Sequence, residues 1–245
     1  RMLRGSFAAK GSAQRETFRE AVSSAMDFIN GVPVWRSFLW ASIITFIGGM
    51  TVFLSFMVGE DEIIGDDAAK LQMFFAGVML GSLVICLLLQ IFAAQRLLEK
   101  LGIPGVLSIL PVATVIGGAF LVAGMILQSL VLVALGLAAW FIPRWSIDEN
   151  ARRAALALVP DERRTRVSFL VDLAPISLGL VIAGPLAALG WAIGQVWLVP
   201  ALGVIVSFAA WPLMGKVRAG WEESLFNWRL RRRKQNRSIT LGDDE

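Results

Sequence analysis

The sequence has no histidine, no tyrosine and a single cysteine, Cys86. Without histidine there is no imidazole to ligate haem, chlorophyll or zinc, and none to serve as base or proton relay. One cysteine excludes disulfides within the chain and any cluster of thiolate ligands; lying in the middle of an apolar run, Cys86 reads as a small packing residue. There is no Ser-His or Cys-His pair, no pair of carboxylates inside an apolar run, and no acidic phosphotransferase signature. The chain is therefore expected to be no enzyme and to carry no cofactor or metal.

Charge is missing from four long stretches, 37–59, 71–95, 103–143 and 173–215. An α-helix needs about 20 mostly apolar residues to cross the hydrocarbon core of a bilayer. The first two stretches are one span each, and the last two are each long enough for a tight hairpin of two. With 56% hydrophobic residues and a mean hydropathy of +0.68, there is no room for an ordinary soluble domain. The fold class is thus all-α integral membrane protein with six transmembrane helices.

Six spans place 22 of the 23 Lys and Arg residues on one side of the bilayer and only Lys70 on the other. The basic segments 1–36, 96–100, 144–166 and 216–237 share one side, and the acidic segment 60–67 lies opposite. Loops rich in Lys and Arg stay on the side of synthesis. Both termini are expected on the cytoplasmic side, or on the stromal or matrix side in an organelle. The net charge of +4 reflects these loops and not a nucleic-acid surface. With tyrosine absent, the interfacial aromatic belt falls to tryptophan, and Trp35, Trp40, Trp140, Trp145, Trp191, Trp197, Trp211 and Trp221 all sit at or near expected span ends.

Three regions follow. Residues 1–33 form a basic tail and an interfacial amphipathic helix, opened by the capping box Thr17 with Glu20 and closed by Gly31 and Pro33. Arg precedes the first Met, so the chain is expected to begin inside a longer precursor or to carry a processing or cloning remnant; its first 19 residues suit the end of an organelle transit peptide or a basic bacterial tail. Residues 34–215 form the six-helix bundle, with turns near 124–129 and 190–195. Within it, Gly48-Gly49 allows close helix approach, and Gly77-x-x-x-Gly81 is expected at a helix contact inside the chain. Residues 216–245 form a basic juxtamembrane helix, including Arg231, Arg232 and Arg233, and an acidic tail, with anionic lipid as the expected partner of the arginines. The segment 144–166 is expected to be held by exposed charge pairs, none of them critical. Asp172, one turn into span five, is expected to form an interfacial ion pair with Arg166 or Arg163.

Three stretches resemble a known family. In the first, 74–110, a span passes through Leu88-Leu89-Gln90 to Arg96, and Glu99-Lys100-x-Gly102 leads on to Leu110-Pro111. The second runs from Ala157 through Pro160-Asp161-Glu162-Arg163-Arg164 to Arg166-Val167-Ser168-Phe169-Leu170-Val171-Asp172 and Leu178-Gly179. The third is the basic stretch 217–233. Together they resemble the carboxy-terminal half of the plastid and bacterial ATP/ADP translocases, nucleotide transporters of the major facilitator superfamily. The resemblance implies a six-helix bundle forming one half of a twelve-helix carrier, with Glu99, Lys100 and Gly102 at the superfamily's turn between the second and third helices.

One departure governs the expected function. A carrier for a multiply charged nucleotide needs buried cations, and the four apolar runs hold no Lys, Arg or His. No substrate-binding residue is carried over from the family. The chain is expected to be a degenerate carrier fold that serves as a structural or anchoring subunit of a larger membrane assembly. Half of a nucleotide or phosphometabolite transporter, or the anchor of a soluble domain, are the alternatives. Its partners are the lipid bilayer with bound lipids, and other membrane subunits or a second six-helix half; its place is a bacterial inner membrane or an organelle membrane.

Overall fold

The computed structural model describes residues 18–65 and 67–240. Among them, six helices are long and apolar enough to cross a membrane and no strand is present, so the chain is an all-α integral membrane protein. Thr17 of the expected capping box, the basic tail before it and the acidic end lie outside the described residues.

Helix α1 (Phe18–Asn30) buries Ala25 and Ile29, which fall four residues apart on one face, against α2 (Pro33–Ile64) and α8 (Asp161–Ser168). Gly31 closes it with a bond to Asp27 O, and Pro33, whose missing N–H costs nothing at a first helical position, opens α2. At 32 residues α2 is about 48 Å long, well beyond the hydrocarbon thickness of about 30 Å. Here the structure corrects the expected acidic loop. Nothing between Gly59 and Ile64 breaks the helix, so Glu60, Asp61 and Glu62 are its last turns, and the chain reverses only at Gly65, whose φ of +73° suits glycine.

Helix α3 (Ala68–Phe92) is the second span. It is followed by α4 (Ala94–Leu107), which bends at Gly102 with φ +67° just ahead of Pro104. Glycine takes this positive φ without a Cβ clash, and Pro104 lacks the N–H to continue the ladder. The apolar run 103–143 is thus not all span: its first residues form an elbow on the basic side, and the third span is α5 (Ile109–Ile126). The turn to the fourth lies at Leu127, Gln128 and Ser129, inside the expected window, with Gln128 at φ +52° and its side chain donating to Met125 O.

Span four begins as α6 (Leu130–Pro143) and passes through a π-helical turn (Arg144–Asp148) into α7 (Glu149–Leu156). Span five is built the same way from α8, a second π-helical turn (Phe169–Leu173) and α9 (Ala174–Ala192). Span six comprises α10 (Leu198–Phe208) and the start of α11 (Ala210–Thr240), which continues past Gly215 without a break.

Span one is the hub. It packs most extensively on spans five and six, then on three and four, and 61% of its most apolar window is buried. Glycines set how close the helices come. A Cβ at Gly48 would strike Ser207 Oγ and Gly203 O, one at Gly203 would strike Thr51 Oγ1, and one at Gly179 would lie 2.8 Å from Phe46 O. Spans three and four meet at Gly117 and Gly136 in the same manner. In a bilayer, where apolar side chains gain little by leaving lipid for a neighbour, such close backbone packing is the main source of helix association. Span two stands apart: it leans mainly on span four, and only 11% of its window is buried.

Candidate functional site

The two π-helical turns lie where spans four and five enter the basic side of the bundle. In span four the irregularity begins at Pro143, which has no N–H to donate. Side chains add bonds to carbonyls there: Ile142 O accepts from Ser146 Oγ and from Cys86 Sγ at 3.6 Å, and Trp145 O accepts from Gln90 Nε2 at 2.8 Å. Cys86 and Gln90 are thereby the polar attachments of span two to span four. The turn leaves Arg144, Asp148 and Arg152 buried on the bundle side, each no more than 3% exposed.

These three residues form a charged ladder. Arg152 Nε donates to Asp148 Oδ2 at 2.6 Å, and Arg144 Nη1 lies 3.6 Å from the same oxygen. Arg144 Nη1 also donates to Glu149 Oε2 at 2.8 Å, while the exposed Arg153 takes Glu149 Oε1 at 3.1 Å. Beyond its own helix, Arg152 Nη1 donates to Ser42 Oγ of span one at 3.0 Å and to Val171 O in the π-helical turn of span five at 3.2 Å. Its guanidinium lies 5.0 Å from the Phe38 ring centre and 5.1 Å from that of Phe46, both on α2. Arg144 lies 5.0 Å from the Phe46 ring and 4.9 Å from Trp145. Planar cations on aromatic faces keep part of their electrostatic solvation when water is excluded. One side chain, Arg152, thus joins spans one, four and five.

This overturns two expectations. The segment that starts at Arg144 is no exposed loop held by surface pairs; its first 13 residues continue span four, and its key charges are buried because the helix runs on into the bundle. The bundle also does contain buried cations, at its basic end. An alternating charge pattern at i, i+4, i+8, with Ile147 and Ala151 between and Ala155 just beyond, all buried, is the sequence signal for a helix with a charged inner line. It was masked by the rule that spans end at their first charge.

Asp172 is also placed differently from expectation. Its Oδ2 accepts from Ser168 Oγ at 3.0 Å, its Oδ1 is buried without a partner, and the cation nearest in electrostatic effect is Arg152. Arg166 instead donates to Ser24 Oγ of α1 at 3.3 Å, and Arg163 lies over the Phe28 ring at 5.9 Å. The reason is direction: residues of α8 face α1, which covers them, whereas Asp172, a turn further on, faces the bundle. Arg163 also borders a shallow cleft of 290 Å³ with Glu20, Ser23, Ser24 and Asp27.

Glu99 accepts from Gln95 Nε2 at 3.0 Å on the exposed side of α4, Lys100 is exposed beside it, and Gly102 makes the bend. Arg231, Arg232 and Arg233 fall on α11, with side chains outside the described residues. Gly77 and Gly81, expected at a contact inside the chain, have nothing within 4 Å of a Cβ; α3 packs through Ser82 and Cys86, about 140° and 180° around the helix from Gly77. Trp140 is buried against Gly49 and so is no part of the aromatic belt, and Trp35 and Trp221 are buried too.

On the opposite side, Asp67 caps α3, accepting from Lys70 N at 3.1 Å, and pairs with Lys70 Nζ at 2.9 Å. The Lys70 side chain, and then its backbone N–H, hold the Asp67 carboxyl below its usual value. Among the described residues no three of His, Cys, Asp or Glu converge as a metal site would require. The chemistry within reach of the Arg144–Asp148–Arg152 ladder is mutual neutralisation and hydrogen bonding between helices. Compared with protein-family models, curated proteins and solved structures, the chain finds no match.

Proposed function

We propose that this chain is a six-helix membrane bundle of carrier type that acts as a structural, anchoring part of a larger membrane assembly, in a bacterial inner membrane or an organelle membrane. The observation that carries this reading is the bracing of the basic end by Arg152. A carrier half must let its inner ends move so that access alternates, whereas Arg152 bonds at once to Asp148 on span four, Ser42 on span one and the Val171 carbonyl on span five. The cations that a nucleotide would need are engaged with Asp148, Glu149 and neighbouring hydroxyl and carbonyl groups. The weakly covered span two offers surface for further membrane helices or lipid.

A second reading, half of a nucleotide or phosphometabolite carrier, is favoured by the packing pattern. Exchanging spans one, two and three with four, five and six turns the one–five contact into four–two and the one–six contact into four–three, and leaves three–six unchanged; all of these contacts occur. Because successive spans alternate in direction, the two triplets are inverted, as in carriers built from inverted repeats. Purified chain in liposomes preloaded with ADP separates the readings. The structural one expects no saturable uptake of labelled ATP; uptake that is lost when internal ADP is omitted would replace it with the carrier one.

A further inference from the structure

We propose that Asp172 is a second counter-ion of Arg152 beside Asp148, so that either carboxylate lets the guanidinium keep the inner ends of spans four and five joined. The inference deepens the structural reading, because it concerns the same brace. Arg152 Nη1 already holds the carbonyl of Val171, the residue before Asp172, at 3.2 Å. Asp172 lies in the π-helical turn and has one oxygen, Oδ1, buried without a partner, while Ser168 Oγ supplies the other. Arginine has five N–H donors in a planar fork, so it can exchange one acceptor for another by a small rotation without giving up the rest.

The charges around Asp172 make Arg152 the candidate. Arg152, Arg144 and Glu149 all act on it from span four. Of the two cations, Arg144 is fixed by Glu149 Oε2 at 2.8 Å and stacks on Trp145, on its own helix, whereas Arg152 is the one that reaches span five. Asp148 in turn has its Oδ1 buried without a partner, so the ladder holds two carboxylates for one bridging arginine. A buried arginine left with no carboxylate is strongly destabilising, and a second carboxylate one residue from an existing contact prevents that state.

The test is a double-mutant cycle on the full chain in nanodiscs, read as the midpoint of thermal unfolding. Asp148→Asn and Asp172→Asn are each expected to lower the midpoint by a few degrees, and the double variant to lower it by about twice the sum of the single shifts or more. Additive shifts would overturn the proposal, as would an Asp148→Asn loss as large as that of Arg152→Met. Should the double variant fail to fold, Asp148→Asn is combined instead with Asp172→Glu, which keeps a carboxylate on span five. That variant is expected to unfold within a few degrees of Asp148→Asn alone, whereas failure to fold like the Asn pair would show that a carboxylate at position 172 does not serve Arg152 and would overturn the proposal. The cycle reads the brace and not transport, so its failure leaves the liposome result, and the reading that rests on it, to stand or fall separately.

Discussion

Asp148 Oδ2 lies 2.6 Å from Arg152 Nε and 3.6 Å from Arg144 Nη1, so one carboxylate oxygen serves two buried guanidinium groups on its own helix. A buried pair of this kind is not a large net source of stability compared with apolar residues, but removing one member exposes the full desolvation cost of the others. Arg152→Ala is expected to destabilise the bundle by about 3–5 kcal/mol. Arg153→Ala, at an exposed pair with Glu149, is expected to cost about 0–1 kcal/mol. Thermal unfolding in detergent compares the two, and equal effects would place Arg152 at the surface.

Glycine position separates the packed core from the outer face. Gly48→Ala must displace Ser207 and the Gly203 backbone where spans one and six cross, and is expected to cost several degrees in unfolding midpoint. Gly77→Ala meets nothing within 4 Å and gains helix propensity of up to about 1 kcal/mol, so within a single chain it is expected to be neutral or stabilising. A marked loss on Gly77→Ala would mean that α3 packs closely on something outside this chain.

The Asp67 cap gives a pH dependence of known sign. Its carboxyl is held below the usual range in the folded chain, so its contribution is present at neutral pH and is lost as pH falls through that lowered value. Protection of the amides in the first turn of α3, taken relative to their intrinsic exchange at each pH, is expected to fall on acidification, and Asp67→Ala is expected to show the lower protection already at neutral pH. An acid response that survives Asp67→Ala would assign it to another group.

Orientation is tested by labelling single cysteines in a Cys86→Ser background. Asp61→Cys and Arg153→Cys, both at exposed positions, are expected to react from opposite sides of the membrane. Reaction from one side would contradict the six-span topology.

The membrane class, the number of spans and both hairpin turns were legible in the sequence, because uncharged run length and the Lys/Arg asymmetry are direct consequences of the cost of charge in hydrocarbon. The brace was not legible for the same reason. By that cost a span ends at its first arginine, yet Arg144 and Arg152 remain inside the bundle because Asp148, Ser42, the Val171 carbonyl and the rings of Phe38 and Phe46 replace water around them. Ser42 and Val171 are 110 and 19 residues from Arg152 in the chain, and no local spacing announces such partners. Glu60 failed the opposite way: charge suggested a loop, but helix propensity carried α2 on to Gly65. At Asp172 the spacing marks the residue but not its surroundings: the carboxyl accepts from Ser168 Oγ, while Arg166 and Arg163 turn to Ser24 and Phe28 of α1.

The central claim is that the inner ends of spans one and four are held in one arrangement by Arg152. Spin labels at Arg36→Cys and Arg153→Cys, both exposed at that end, report the separation directly by double electron–electron resonance in a Cys86→Ser background. A brace at Arg152 predicts a single narrow distance that neither ATP nor ADP changes and that Arg152→Met broadens. Two distances whose populations shift with nucleotide would contradict it.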